Sequence, residues 1–86
     1  MSVERVTEIR RRLEAAFEPS ILEIEDQSHM HVGHAGAASG GGHFAVRIEA
    51  VALAGVNRVK QHRMIYHALG EMMRTEIHAL SIKVTK

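Results

Sequence analysis

A pattern of period two recurs three times in this chain, and what separates the repeats dictates how they pair. Leu22 and Ile24 alternate with Glu23 and Glu25; Phe44, Val46 and Ile48 alternate with Ala45, Arg47 and Glu49; Leu80, Ile82 and Val84 alternate with Ser81, Lys83 and Thr85. Successive side chains of a strand point to opposite faces, so each stretch reads as a half-buried strand. A Gly- and His-rich segment without helical periodicity joins the first two, which predicts a hairpin with a long connection. A helix-length segment joins the second to the third. Strands linked through a helix are most simply parallel, with a right-handed crossover.

The remaining apolar residues supply two helices. Val3, Val6, Ile9, Leu13, Ala16 and Phe17 recur at spacings of three and four, one stripe of an amphipathic helix. Ser2 is positioned to cap its start, and Pro19 ends it. Glu4, Glu8, Arg11, Arg12 and Glu14 occupy the opposite face, which reads as solvated. The segment ALAG (52–55) interrupts the second strand's pattern. Asn57 is then a plausible cap for a second helix, with Val59, His62, Tyr66, Leu69 and Met73 marking one stripe and Ile65 and Met72 widening it. By this spacing Tyr66, Met72 and Met73 are core residues. The order helix, strand, strand, helix, strand predicts an α/β (α+β) chain: a three-stranded mixed sheet with both helices on one face. No repeat and no second domain is visible, so residues 1–86 read as one small domain.

Composition removes several kinds of function. An 86-residue chain buries roughly 60% of its unfolded surface or a little more, which leaves little room for a deep private pocket. The chain has no cysteine, so disulfides, thiolate catalysis and an all-cysteine metal site are excluded. A net charge of +1 argues against a general phosphate-binding surface. No apolar run approaches the roughly 20 residues of a membrane span, and the N-terminus lacks the apolar segment of a secretory signal. A soluble, cytoplasmic protein is the expectation. No Ser–His–acid arrangement follows from spacing. The glycine-rich GHAGAASGGG (33–42) runs into a strand, the wrong context for a phosphate loop. An enzyme is therefore not expected.

Histidine is what remains for chemistry. Of seven histidines, His29, His31, His34 and His43 fall within residues 26–43, a stretch that reads as a flexible loop. The pattern H-x-H-x-x-H at 29, 31 and 34 offers zinc or nickel three imidazoles. Ordering a soft loop around them costs entropy, and no carboxylate with obvious ligand spacing completes the set. A cysteine-free chain with well-placed histidines suits a co-ligand better than a sole holder of a cluster. His43, just before Phe44, reads as a structural histidine at a strand edge. His62 lies on the apolar stripe, where a buried imidazole donating to a backbone carbonyl is expected, and His67 reads as solvent-facing. Arg58, Lys60, Arg63 and Arg74 make the second helix moderately basic. The nearest approach to a GXXG clamp is GVNR (55–58), which lacks the second glycine, so RNA binding in the KH manner is disfavoured. Aromatic residues amount to 3%, which provides poorly for base stacking.

Three stretches, LEIEDQSHMH (22–31) running on to HF (43–44), QHRMIYHAL (61–69) and IHALSIK (77–83), resemble the BolA family. With the matching order of elements the resemblance covers nearly the whole chain. It implies a KH-like fold of type II and partnership with a monothiol glutaredoxin. It further implies a shared [2Fe–2S] cluster ligated by the glutaredoxin cysteine, a glutathione thiol and histidine. On the family pattern His78 matches the C-terminal metal histidine. Ser28, His29, Met30 and His31 match the loop motif, so His31 is the implied second ligand, with His34 an extra candidate nearby. Gln61 stands where relatives usually have arginine, and SGGGH (39–43) replaces a more acidic loop end.

Two functions are carried forward. The first is a non-enzymatic adaptor that binds a monothiol glutaredoxin and co-ligates the cluster through His78 and His31, for iron sensing or cluster delivery. The second is a DNA-binding regulator that uses Arg58, Lys60 and Arg63. The free protein is expected to be a monomer or a weak homo-oligomer.

Overall fold

The computed structural model describes residues 3–28 and 42–85. The elements follow the order α1 (Val3–Phe17), β1 (Ile21–Asp26), β2 (Gly42–Glu49), a 3₁₀ turn (Val51–Leu53), α2 (Arg58–Leu69), a short α3 (Met72–Thr75) and β3 (Ile77–Thr85). The expected helix–strand–strand–helix–strand order holds, with two short helical turns added. Ser2, the expected cap of α1, lies outside the described residues.

The sheet order is β1-β2-β3. β1 runs antiparallel to β2 from Ile21↔Glu49 to Asp26↔Phe44. β3 runs parallel to β2 from Gly42↔Ile77 to Glu49↔Thr85. β2 is thus the central strand, and its residues alternate strictly: Phe44, Val46 and Ile48 are buried, while His43, Ala45, Arg47 and Glu49 are half-buried on the other face. The helices cover the first face. Ile9, Leu13 and Phe17 of α1, Leu53 of the 3₁₀ turn, Ile65 and Leu69 of α2, Met72 and Ile77 join Phe44, Val46 and Ile48 in one core. The opposite face is polar, with Arg47 paired to Glu23 at 3.0 Å across the hairpin.

α1 ends because its chain turns left-handed. Glu18 takes a φ of +49° and donates its N–H to the Glu14 carbonyl at 3.0 Å, and Pro19 has no N–H to continue the helix. α2 begins where Asn57 accepts a hydrogen bond from the Lys60 N–H at 2.9 Å, the expected cap. It ends at Gly70, whose φ is +54°. That break corrects the expected stripe. Val59 is 62% exposed and Tyr66 39% exposed, whereas Ile65 and Leu69 are fully buried. The face of α2 that meets α1 is centred on Ile65 and Leu69, and Met72 reaches the core from a separate element. His62 is also corrected. It is half-buried, with its ring edge-on to Tyr66 at 6.3 Å. The backbone carbonyl contacted from this turn is that of Leu53, which accepts from Gln61 Nε2 at 2.8 Å.

One polar cluster ties the two long helices together. Arg12 Nη1 donates to the Leu69 carbonyl at 2.8 Å, satisfying a last-turn acceptor of α2. Glu8 steadies that arginine, accepting from Arg12 Nε at 2.7 Å and from Arg11. Hydrogen bonds from Arg11 and then Arg12 pull the Glu8 carboxyl down from 4.5 to about 2. A carboxylate lowered in the folded state stabilises the fold above its unfolded pKa, and that contribution fades as pH falls from 4.5 towards 2. Glu8→Gln is therefore expected to lower the urea midpoint at pH 7, with the gap to wild type closing across that window. A gap still fully open at pH 2 would contradict the role given to Glu8.

Candidate metal centre

The ladder between β2 and β3 slips by one residue at its start. Gly42 pairs with Ile77, but the next residue, His43, pairs with Ala79. His78 is the extra residue of the bulge and has no partner of its own on β2. Counting back from Leu80, Ile82 and Val84, which pack against the core, strict alternation would send His78 to the helix-covered face. The bulge reverses this: Ile77 is buried at 4% exposure and His78 is exposed. Re-aiming one side chain in this way is a common use of a bulge.

His78 turns out towards His43. Their ring centroids lie 5.2 Å apart at an interplanar angle of 46°. At that spacing the His43 ring stands close enough to buttress the exposed His78 imidazole. His43 lies near the start of its strand, as its position in the sequence suggests. It sits on the central strand, and its Nε2 is shielded from solvent.

The hairpin holds His43 at both backbone groups. The Ser28 Oγ accepts from the His43 N–H at 3.0 Å, and the Gln27 N–H donates to the His43 carbonyl at 2.7 Å. The Ser28 N–H in turn donates to Asp26 Oδ1 at 2.9 Å. On the other side the Gly42 N–H donates to the Glu76 carbonyl at 3.0 Å, and Arg5 pairs with Glu76 at 3.0 Å. The two ends of the segment 29–41 are thus fixed beside His43 and His78. His29, His31 and His34 lie outside the described residues. Among the described residues no group of three or more His, Cys, Asp or Glu side chains could hold a metal ion. The described part of the candidate site is the exposed His78 with the His43 ring beside it, and the chain has no thiolate of its own.

The other candidates lie apart from this pair. Arg58, Lys60 and Arg63 are exposed along α2. His67 is exposed as expected. Sequence reasoning missed His43. The signal was the slip itself: apolar residues at 80, 82 and 84 keep period two, but the preceding one is Ile77, three positions back.

The family model of BolA-like protein matches residues 13–86. The chain belongs to the BolA family. Chloroplastic BOLA1 of Arabidopsis thaliana is 43% identical over 81 residues, covering 91% of this chain and 51% of that protein. SufE-like protein 1 of the same plant is 42% identical over 79 residues, 86% of this chain and 21% of that protein. The BolA-like chain therefore spans about half the length of the first and about a fifth of the second. The DNA-binding transcriptional regulator BolA of Escherichia coli is 39% identical over 74 residues, 86% of this chain and 68% of that protein. Among solved structures, the BolA domain of SufE1 from Arabidopsis thaliana superposes with a TM-score of 0.82 at 40% identity, covering 94% of this chain and 90% of that domain. BolA1 of Mus musculus gives 0.73 at 34% identity, covering 91% and 63%. The mixed sheet with helices on one face is therefore the fold of BolA domains.

In this BolA-like chain the tightest point beside the histidines is Gly42. A Cβ there would meet the Phe44 ring at 2.6 and 2.7 Å and the Ser28 Oγ at 3.0 Å, and Phe44, 1% exposed, cannot swing away. Gly42→Ala is expected to cost roughly 1–3 kcal/mol by overpacking, measured by urea denaturation. An unchanged midpoint would mean that Gly42 is not held against Phe44 and Ser28.

Proposed function

We propose that this chain is a non-enzymatic adaptor that binds a monothiol glutaredoxin and co-ligates a shared [2Fe–2S] cluster, for iron sensing or cluster delivery. The observation that carries the reading is the bulge that turns His78 out of the sheet beside His43. A strand that only packed would keep its alternation. Here it is broken at a residue whose imidazole is exposed and ring-paired.

His78 is the ligand on β3, and His31 is the ligand of the loop, with His34 the alternative. His31 lies outside the described residues and enters only through the family pattern that Ser28, His29, Met30 and His31 match. His43 holds the His78 ring in place. The thiolates come from the glutaredoxin cysteine and from glutathione, because this chain has none. Imidazole in place of thiolate lowers the negative charge on the centre and raises its potential. It also makes the bond sensitive to acid, since only the neutral ring is a ligand. Such ligation suits a cluster that is passed on or sensed.

A second reading, a DNA-binding regulator, draws on the name of the Escherichia coli relative and on the exposed Arg58, Lys60 and Arg63. It needs those cations and a steep weakening with salt, and does not need His78.

The test is co-expression with a monothiol glutaredoxin and anaerobic purification, followed by visible absorption and circular dichroism. A 1:1 coloured complex is expected, with a spectrum unlike that of the glutaredoxin's own cluster dimer. His78→Ala abolishes the difference, His31→Ala alters it, and His43→Ala leaves the complex formed but its cluster short-lived. A spectrum indifferent to His78→Ala would overturn the reading.

A further inference from the structure

The helical layer carries an open apolar groove that shares no residue with the histidine pair. It has a volume of about 1010 Å³ and lies between the end of α1 and the outer face of α2. Its walls include Ala16, Phe17, Val59, Met64 and Ala68, with the polar Asn57, Lys60, Arg63 and His67 also lining it. No carboxylate lines it. Val59, an aliphatic side chain of α2 that stands clear of the core, is 62% exposed there. This is the displaced part of the stripe expected from the sequence, and the core of this chain does not use it.

The charges around the groove are uncompensated, and they differ in this from those of α1. Each arginine of α1 has an acidic partner: Arg5 with Glu76, Arg10 with Glu14, Arg11 and Arg12 with Glu8. The sequence of α2, RVKQHRMIYHAL, contains no acid at all. Among the described residues Arg58, Lys60 and Arg63 form no ion pair with a side chain of this chain. A floor of apolar side chains with free cations on the rim is complementary to an occupant with apolar anchors and acidic flanks.

We propose that this groove docks an acidic amphipathic helix of a partner protein. The lining runs along α2 from Asn57 to Ala68, roughly 16 Å at 1.5 Å per residue. That length takes three helical turns, with anchors at i, i+3 or i+4, and i+7. Anchors on Val59 and Met64 desolvate the centre, and carboxylates at the edges meet Lys60 and Arg63. A nucleic acid would satisfy the same cations but would leave the apolar floor unfilled; of the exposed rings on α2, Tyr66 lies outside the lining and the His67 imidazole alone borders it. The site is independent of the cluster reading, because none of its residues belongs to the histidine centre.

The test uses the full chain as bait for a displayed library of random 16-residue peptides. Selected sequences are expected to be rich in Glu and Asp, with apolar residues at helical spacing, and to perturb amide resonances of Val59, Lys60, Arg63, Met64 and Ala68. Val59→Glu, which alters an exposed side chain, and Lys60→Glu with Arg63→Glu should each weaken the best peptide by roughly tenfold or more, whereas His78→Ala leaves it unchanged. Recovery of no peptide, or of basic ones, overturns the proposal. So does binding that ignores Val59→Glu. A duplex or single-stranded DNA that displaces the best peptide and binds more tightly, through the same cations, would assign the surface to nucleic acid instead.

Discussion

The one-residue slip between β2 and β3 is the constraint on which the rest of the site depends. Parallel pairing from Phe44↔Leu80 onward puts the apolar residues of both strands on the helix-covered face. Had that register continued to the start of the strands, an imidazole at position 78 would have been driven into the core, where a polar ring without partners is costly. The bulge instead gives the core Ile77 and gives the surface His78. The position of His78 is therefore set by the ladder: to change it, the pairing beneath it must change.

The slip is secured on both sides. Gly42 is buried against Phe44 with no space for a side chain, and its N–H is held by the carbonyl of Glu76, the residue that leads into β3. Ser28 and Gln27 bind the backbone of His43 from β1's side. The ends of the histidine-rich segment and the start of β3 are thus one hydrogen-bonded unit. Under the proposed function a partner's metal would meet an imidazole held on a sheet. Rigid elements hold ligand geometry better than loops do, which favours His78 over any loop histidine as the principal contact from this chain.

The fold was largely legible in the sequence, and the failures have definite causes. Alternation at 22–25, 44–49 and 80–85 located the strands, and the helix between the last two gave their parallel pairing. The second helix was misjudged because its stripe was counted straight through Gly70. With the helix ended there, Met72 is delivered by a separate turn, and Ile65 and Leu69, not Val59 and Tyr66, face α1. His78 was identified through family resemblance, while its orientation was not readable from period two alone. His43 was expected as a structural histidine at the start of the second strand, and it is the second residue of β2, but its neighbour across the ladder was not readable. Its contact with His78 arises from a pairing between residues 35 positions apart in the chain. The apolar groove was hidden for a related reason, since a stripe on a helix does not tell which of its residues the core will leave uncovered.

The proposed function stands or falls with one bond, between His78 and a cluster shared with a glutaredoxin. The most direct measurement is pulsed EPR on the reduced complex, made with this chain alone carrying ¹⁵N-labelled histidine. The account predicts a strong hyperfine coupling from a coordinated imidazole nitrogen, which disappears in His78→Ala. A complex whose cluster shows no such coupling, or one in which the coupling survives His78→Ala, would contradict it.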